Sequence, residues 1–209
     1  PLTTAFTISL GTPAAMAQAA AAAADRPLLK IKLGGDGDSE RIAAVRNAAF
    51  KATLIVDANE GWTERNLAQN LTACAEAGVV LIEQPLPESA DDALARIARP
   101  IPICADESAH GRSSLAALPG KYDAVNIKLD KAGGLTEALV MADEAARLGL
   151  SIMAGCMVAT SLAMAPAILL AQRAHFVDLD GPLLLAKDRP HGLRYAGSVV
   201  EPASAALWG

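Results

Sequence analysis

Residues 53–85 read TLIVDANEGWTERNLAQNLTACAEAGVVLIEQP, and the stretch divides into three parts. An apolar run over 53–57 ends on Asp57. An amphipathic segment over 63–77 opens on Thr63 as its N-cap and is stopped by Gly78, and a second apolar run over 79–84 ends Glu83-Gln84. Strand, helix and strand in that order, with strands apolar on both faces, make one parallel βα repeat. Outward from it, further apolar runs occur at 5–10, 28–33, 101–106, 124–129, 151–155 and 175–180, so that eight strands are expected with seven helical segments between them. Besides 63–77, the clearest helices are 39–49, with Ser39 as its expected N-cap, and 135–148, followed by Gly149. The pattern predicts an α/β fold, a (β/α)7β TIM-like barrel, although the chain is short for that fold. An open doubly wound sheet is the competitor, but it calls for a glycine-rich phosphate loop after the first strand, where this chain has Gly11-Thr12-Pro13.

The 209 residues are 52% hydrophobic and 20% charged, enough to bury one substantial core and to argue against disorder. Aromatic residues supply only 3%, so that core must be built from Ala, Leu, Ile and Val. A net charge of -5 without a basic run argues against a nucleic-acid surface and leaves small molecules as the expected partners. Cys74, Cys104 and Cys156 are widely spaced and form no CxxC pair, which suggests neither a disulfide framework nor a zinc site; a reducing, cytoplasmic location is expected. The Ala-rich stretch over 14–24 has no basic leader before it and is interrupted by Gln18, a poor signal peptide. The uncharged stretch between Arg147 and Arg173 is long enough to span a bilayer, but Gly155, Thr160 and Pro166 split it into a strand over 151–155 and a helix over 161–172. No membrane association is expected.

Charges are expensive inside barrel strands, so those at carboxyl ends mark where a site is built. The expected strands finish Lys30-Ile31-Lys32, Asp57-Ala58-Asn59, Glu83-Gln84-Pro85, Asp106-Glu107-Ser108, Lys128-Leu129-Asp130 and Asp178-Leu179-Asp180. Asp57, Glu83 and Asp106 come from three successive strands and are expected to converge at the barrel mouth. Three anions there need a cation, and oxygen-only ligation suits a hard ion such as magnesium. The two-residue period of a strand puts Lys30 and Lys32 on one face, and likewise Lys128 and Asp130. Strands two and six of an eight-stranded barrel stand opposite each other, so their lysines would flank a ligand and could take a proton from one side and return it from the other.

These segments, Lys-Ile-Lys, Asp-Ala-Asn, Ile-Glu-Gln-Pro, Ala-Asp-Glu-Ser and Asn-Ile-Lys-Leu-Asp, resemble the enolase superfamily, in its muconate-lactonizing-like subgroup, in order and spacing across nearly the whole chain. The resemblance implies that Asp57, Glu83 and Asp106 bind magnesium, that Lys32 and Lys128 are the two acid/base residues, and that Lys30 assists electrostatically. Asp178-Leu179-Asp180-Gly181-Pro182 is similar to the segment with which dipeptide epimerases hold a substrate's α-ammonium group, which implies an L-Ala-D/L-Glu type of dipeptide as substrate. Asn59, Cys156 and Met157 would line the pocket. For Asp178 and Asp180 a turn or capping role remains open, as does core packing for Gly155-Cys156-Met157.

Family members carry an α+β capping domain ahead of the barrel, whereas this chain starts at Pro1, before the first expected strand; it is expected to be a fragment, in which water exclusion and substrate orientation, and with them activity, suffer. The barrel is assigned to 1–182 and a tail, expected to pack against the capping domain, to 183–209. Within the same superfamily a muconate cycloisomerase or an acid-sugar dehydratase would use the same metal and lysines on a substrate without an ammonium group. A Schiff-base lyase working through Lys128 and a catalytically silent structural barrel are the other readings, and homo-oligomerisation is left open.

Overall fold

The computed structural model describes residues 1–209. In chain order, strands β1 (Leu2–Thr3) and β2 (Phe6–Ile8) precede α1 (Pro13–Ala22), β3 (Leu28–Lys32), α2 (Asp38–Ala48), β4 (Thr53–Asp57), α3 (Glu64–Glu76) and β5 (Val79–Glu83). A 3-10 segment at Glu88–Arg96 leads to β6 (Ile103–Ala105), and another at Arg112–Ala117 leads to β7 (Ala124–Lys128). The one-turn α4 (Leu129–Ala132), α5 (Leu135–Arg147), β8 (Ser151–Gly155), α6 (Ser161–Ala171) and β9 (Phe176–Val177) follow. A 3-10 turn at Gly181–Leu184 and strands β10 (Tyr195–Ala196) and β11 (Val199–Val200) complete the chain. Strands β2 to β9 are the eight expected from the sequence, several of them shorter, and two of the seven intervening segments are 3-10 rather than α-helical. No helix is long and apolar enough to cross a membrane.

The contacts divide the chain into two units, one of Phe6–Ser108 with Gly120–Asp123, the other of Pro1–Ala5, Ala109–Pro119 and Ala124–Gly209. In the first, β2 to β6 pair in parallel and in chain order. Lys32 lies opposite Asp57, and Asp57 opposite Glu83. That last match depends on an irregularity: Leu54 pairs with Val79 but Ile55 with Leu81, so Val80 is bulged out, 39% exposed. Without the extra residue Asp57 would face Ile82, and Glu83 would point to the other side of the sheet.

The local signals of this unit are legible. At the start of α3 Asn66 Oδ1 accepts from the Thr63 backbone N–H at 2.7 Å and from its hydroxyl at 3.2 Å, and Gly78 takes the left-handed conformation (φ 67°) after the last turn. Ser39 is not the N-cap of α2, contrary to expectation. The helix begins one residue earlier, Gly37 is the cap in a left-handed conformation, and the Ser39 hydroxyl donates instead to Asn70 Oδ1. The anchor is Asp38, 1% exposed, whose carboxylate accepts from the backbone N–H of Gly34 and Gly35, from Arg41 and from the indole of the fully buried Trp62 at 2.8 Å. It thereby ties the loop after β3 to the loop after β4.

In the second unit β7, β8 and β9 pair in parallel, Lys128 lying opposite Gly155. β1, β11 and β10 form a small antiparallel sheet that the sequence pattern did not suggest, because two-residue strands carry no periodicity. Residues 183–209 therefore belong to the same unit as β7 to β9. They are tied to α6 by Asp188, which accepts from the Ser161 backbone N–H at 3.0 Å and from its hydroxyl.

Candidate active site

Each candidate side chain of the first unit lies within two residues of the carboxyl end of a strand. Lys30 and Lys32 are two residues apart on β3, hence on one face. The Lys30 ammonium, 2% exposed, stands 3.0 Å from Asp57 Oδ2 and 2.6 Å from Glu83 Oε2. Lys32 is more open, and its Nζ donates to the same Asp57 Oδ2 at 2.7 Å and to Asn59 Oδ1 at 3.2 Å. Asn59, held in a left-handed conformation (φ 46°), also donates its backbone N–H to Asp57 Oδ1 at 3.1 Å. Burial by itself would raise the Asp57 carboxyl, but Lys30 and Lys32 outweigh it and hold the group at about 2. Asp106, 4% exposed, follows the last residue of β6.

The expected cation site can be compared with these positions. Asp57 and Glu83 lie side by side, both are buried, and a positive group already sits against both, so the pair attracts a cation. With Asp106 the donor set is all oxygen, which fits a hard divalent ion. The acids are nonetheless not gathered as a ready ligand cluster: no three Asp, Glu, His or Cys side chains are close enough together to hold a metal, and the ammonium of Lys30 takes the place between two of them.

In the second unit Lys128 is the last residue of β7 and is 7% exposed. Asp130 does not share its strand face, contrary to expectation, because α4 begins at Leu129 and rotates Asp130 onto a helical turn. Gly155 is required where it stands: a Cβ there would lie 2.9 Å from the side-chain amide carbon of Asn126, which is fully buried on β7. Cys156 and the exposed Met157 follow directly. Asp178 and Asp180 lie beyond β9, which ends at Val177, and are 5% and 3% exposed. Between them the Leu179 N–H donates to Thr4 Oγ1 at 2.8 Å and the Leu179 carbonyl accepts from Tyr195 Oη at 2.7 Å. The Asp180 carboxylate makes no capping hydrogen bond to the turn that follows. Gly181 allows that turn to approach the loop after β8, since a Cβ would lie 2.9 Å from the Met157 carbonyl oxygen.

Sequence reasoning missed Gln84 and Asp91 as members of a buried polar network beside these groups. Gln84 stood in a quoted motif, but nothing in its spacing revealed the partners, which are as far away in sequence as Tyr122.

Parallel strands in chain order, with amines and acids near their carboxyl ends, define an α/β protein. The comparison with known proteins makes this specific: residues 14–202 match the family described as Enolase C-terminal domain-like, and the chain belongs to the enolase superfamily, with its (β/α)7β barrel fold class. It is 51% identical over 205 residues to an N-acetyl-D-glutamate racemase of Pseudoalteromonas sp, covering 98% of this chain and 65% of that protein. It is 50% identical over 194 residues to the L-Ala-D/L-Glu epimerase of Escherichia coli K12, covering 92% of this chain and 60% of that protein. A crystal structure of an enolase family member from Agrobacterium tumefaciens, with homology to dipeptide epimerases and with bound sodium and L-Ala-L-Glu, matches with a TM-score of 0.98 at 59% identity, covering 100% of this chain and 64% of that one. Other solved dipeptide epimerases carry magnesium together with a dipeptide. The relatives are isomerases, and this chain spans less than two thirds of their length.

Proposed function

We propose that the protein is a dipeptide epimerase of the L-Ala-D/L-Glu type that moves the α-proton of the C-terminal residue by 1,1-transfer through an enediolate. The observation that carries this reading is the file of charges across β3 to β5, in which two amines share one buried carboxylate oxygen beside a second acid. Asp57, Glu83 and Asp106 would hold magnesium, which when bound supplies positive charge beside the substrate carboxylate and so acidifies the neighbouring C–H. Lys32 and Lys128 are the acid/base pair: one takes the α-proton from one face, the other gives a proton to the opposite face, and the two exchange roles for the other epimer. Lys32 is held at its nitrogen by Asp57 and Asn59, which orients the amine while leaving it accessible. Lys30, locked between two carboxylates, contributes charge rather than proton transfer. Asp178 and Asp180 would pair with the ammonium group of the N-terminal residue, and Cys156 and Met157 would line the pocket.

A second reading has its own support in the 51% identity to an N-acetyl-D-glutamate racemase, a protein whose named substrate has no ammonium group. Asp178 and Asp180 separate the two. The test is incubation of the whole protein with magnesium in heavy water, with L-Ala-L-Glu and with N-acetyl-glutamate in parallel, for the wild type and for Asp178→Asn/Asp180→Asn. A dipeptide epimerase incorporates deuterium into the dipeptide and loses that activity in the double variant. Turnover of N-acetyl-glutamate alone, undiminished in the double variant, would reject the dipeptide reading.

A further inference from the structure

Gln84 follows Glu83 directly, is completely buried and holds a left-handed backbone (φ 35°), a conformation that a non-glycine residue keeps only where its surroundings fix it. Its backbone N–H donates to Cys104 O at 2.9 Å, and its carbonyl accepts from the Glu60 N–H at 2.9 Å. The side-chain Oε1 accepts from the backbone N–H of Asp106 at 2.8 Å and of Ser108 at 3.1 Å. Nε2 faces Leu86 O, Ser108 Oγ and Tyr122 Oη, each at 2.9 Å. One amide therefore reaches from the residue after Glu83 to the backbone of Asp106.

The orientation of that amide is set from both ends. Asp91, 3% exposed, accepts at Oδ2 from Ser108 Oγ at 2.8 Å and from Tyr122 Oη at 2.9 Å, while Lys121 donates to its Oδ1 at 2.6 Å. A carboxylate paired with an ammonium only accepts, and the two hydroxyls lie 2.9 Å from each other, so their protons are committed to Asp91 or to one another and lone pairs are turned towards Gln84 Nε2. Backbone N–H groups only donate, so Oε1 must face Asp106 and Ser108. A flipped amide would set donors against donors on one side and leave the hydroxyls facing an acceptor while their protons are committed elsewhere.

We infer that Gln84 is a positioning residue for Asp106, and that Asp91 is a positioning residue acting through Ser108, Tyr122 and Gln84, so that this network sets the cation affinity of the site. The inference rests on the proposed magnesium-dependent reading. It is tested on this chain with manganese(II) as an EPR-visible probe of the magnesium site, together with residue-resolved amide hydrogen exchange measured without metal. Gln84→Met keeps the volume and removes the clamp; Asp91→Ala removes the acceptor that fixes the hydroxyls. Both should weaken manganese binding by about ten- to a hundredfold, the range typical of groups that orient metal ligands. Both should also accelerate exchange at the Asp106 and Ser108 amides by at least about tenfold while leaving exchange in β3 and β4 unchanged, which a merely structural loss would not do. If Gln84→Met does not fold, Tyr122→Phe, which deletes one hydroxyl of the relay, should shift both readouts in the same direction. Wild-type binding with variant affinities within about twofold and unchanged exchange at Asp106 and Ser108 would overturn the inference. Absence of manganese binding by the wild type would overturn the metal reading, and the exchange arm alone would then decide whether the clamp exists.

Discussion

Replacing Lys30 by Met removes one charge while keeping most of the side chain's apolar volume, because the lysine stem is packed and only its nitrogen is exchanged for an uncharged end. The nitrogen is 3.0 Å from Asp57 Oδ2 and 2.6 Å from Glu83 Oε2, and all three side chains are at most 3% exposed. Two carboxylates would be left in a place from which water is largely excluded. Removing one partner of a buried ion pair costs about 3–5 kcal/mol. A separate bound comes from Asp57 alone: its fall from 3.8 to about 2 corresponds to about 2 kcal/mol, part of which Lys32 retains in the variant. With the contribution of Glu83 added, the expected loss is about 3 kcal/mol at neutral pH.

The pH dependence has a definite sign. A carboxyl depressed in the folded state stabilises it fully above the ordinary value of 3.8, and that contribution disappears as pH falls through about 2. In Lys30→Met burial acts with less opposition, the carboxyls take up protons at higher pH, and a proton does what the ammonium did. The stability gap between wild type and variant should therefore be widest near pH 7 and narrow below about pH 4. Magnesium should recover more stability in the variant than in the wild type, because a second cation can now stand between the acids. The assay is urea unfolding followed by circular dichroism at both pH values, with and without magnesium chloride. A loss under about 1 kcal/mol at pH 7, or a gap that does not change with pH, would show that Lys30 does not hold the two carboxylates in their charged form.

Gly155→Ala should cost about 1–3 kcal/mol in the same unfolding assay, since the new methyl meets the Asn126 amide and that short, fully buried side chain has nowhere to go; a loss below about 0.5 kcal/mol would show that the packing is looser than described. Burial, aided by Asp38, pushes the Cys74 thiol from 9.0 up to about 12. Its stabilising effect is complete below pH 9 and is lost as pH rises towards 12, so Cys74→Ala should flatten the alkaline limb of the stability curve, and an unchanged limb would contradict this. At pH 8 the native Cys74 should also resist alkylation while the half-buried Cys156 is modified, which mass spectrometry of the labelled peptides reads directly.

The parallel βα order was legible because apolar runs and amphipathic helices differ in period, and Thr63 and Gly78 act through local chemistry that needs no tertiary partner. The placement of these acids and lysines near strand ends was legible for a related reason: at the carboxyl end of an apolar strand a charge stands out. What could not be read were features set by distant contacts. The bulge at Val80 that brings Glu83 abreast of Asp57 depends on the pairing of two strands. Asp38 displaced Ser39 as the organiser of α2 because Trp62, 24 residues away, supplies its fourth donor. Asp130 left the strand face because α4 starts at once after Lys128, although a two-residue spacing looked like strand continuation. Lys30 as the ion held between two acids was also outside what spacing could give, since the sequence shows which residues share a face and not which oxygen each amine selects.

In the proposed reaction two lysines address the two epimers separately. It is tested most directly by following α-deuterium incorporation from heavy water into L-Ala-L-Glu and L-Ala-D-Glu, each offered to Lys32→Ala and to Lys128→Ala of the whole protein. In that reaction both variants lose interconversion and each retains exchange with one epimer, a different one for each variant. Exchange of the same epimer by both, or continued interconversion by either, would contradict it.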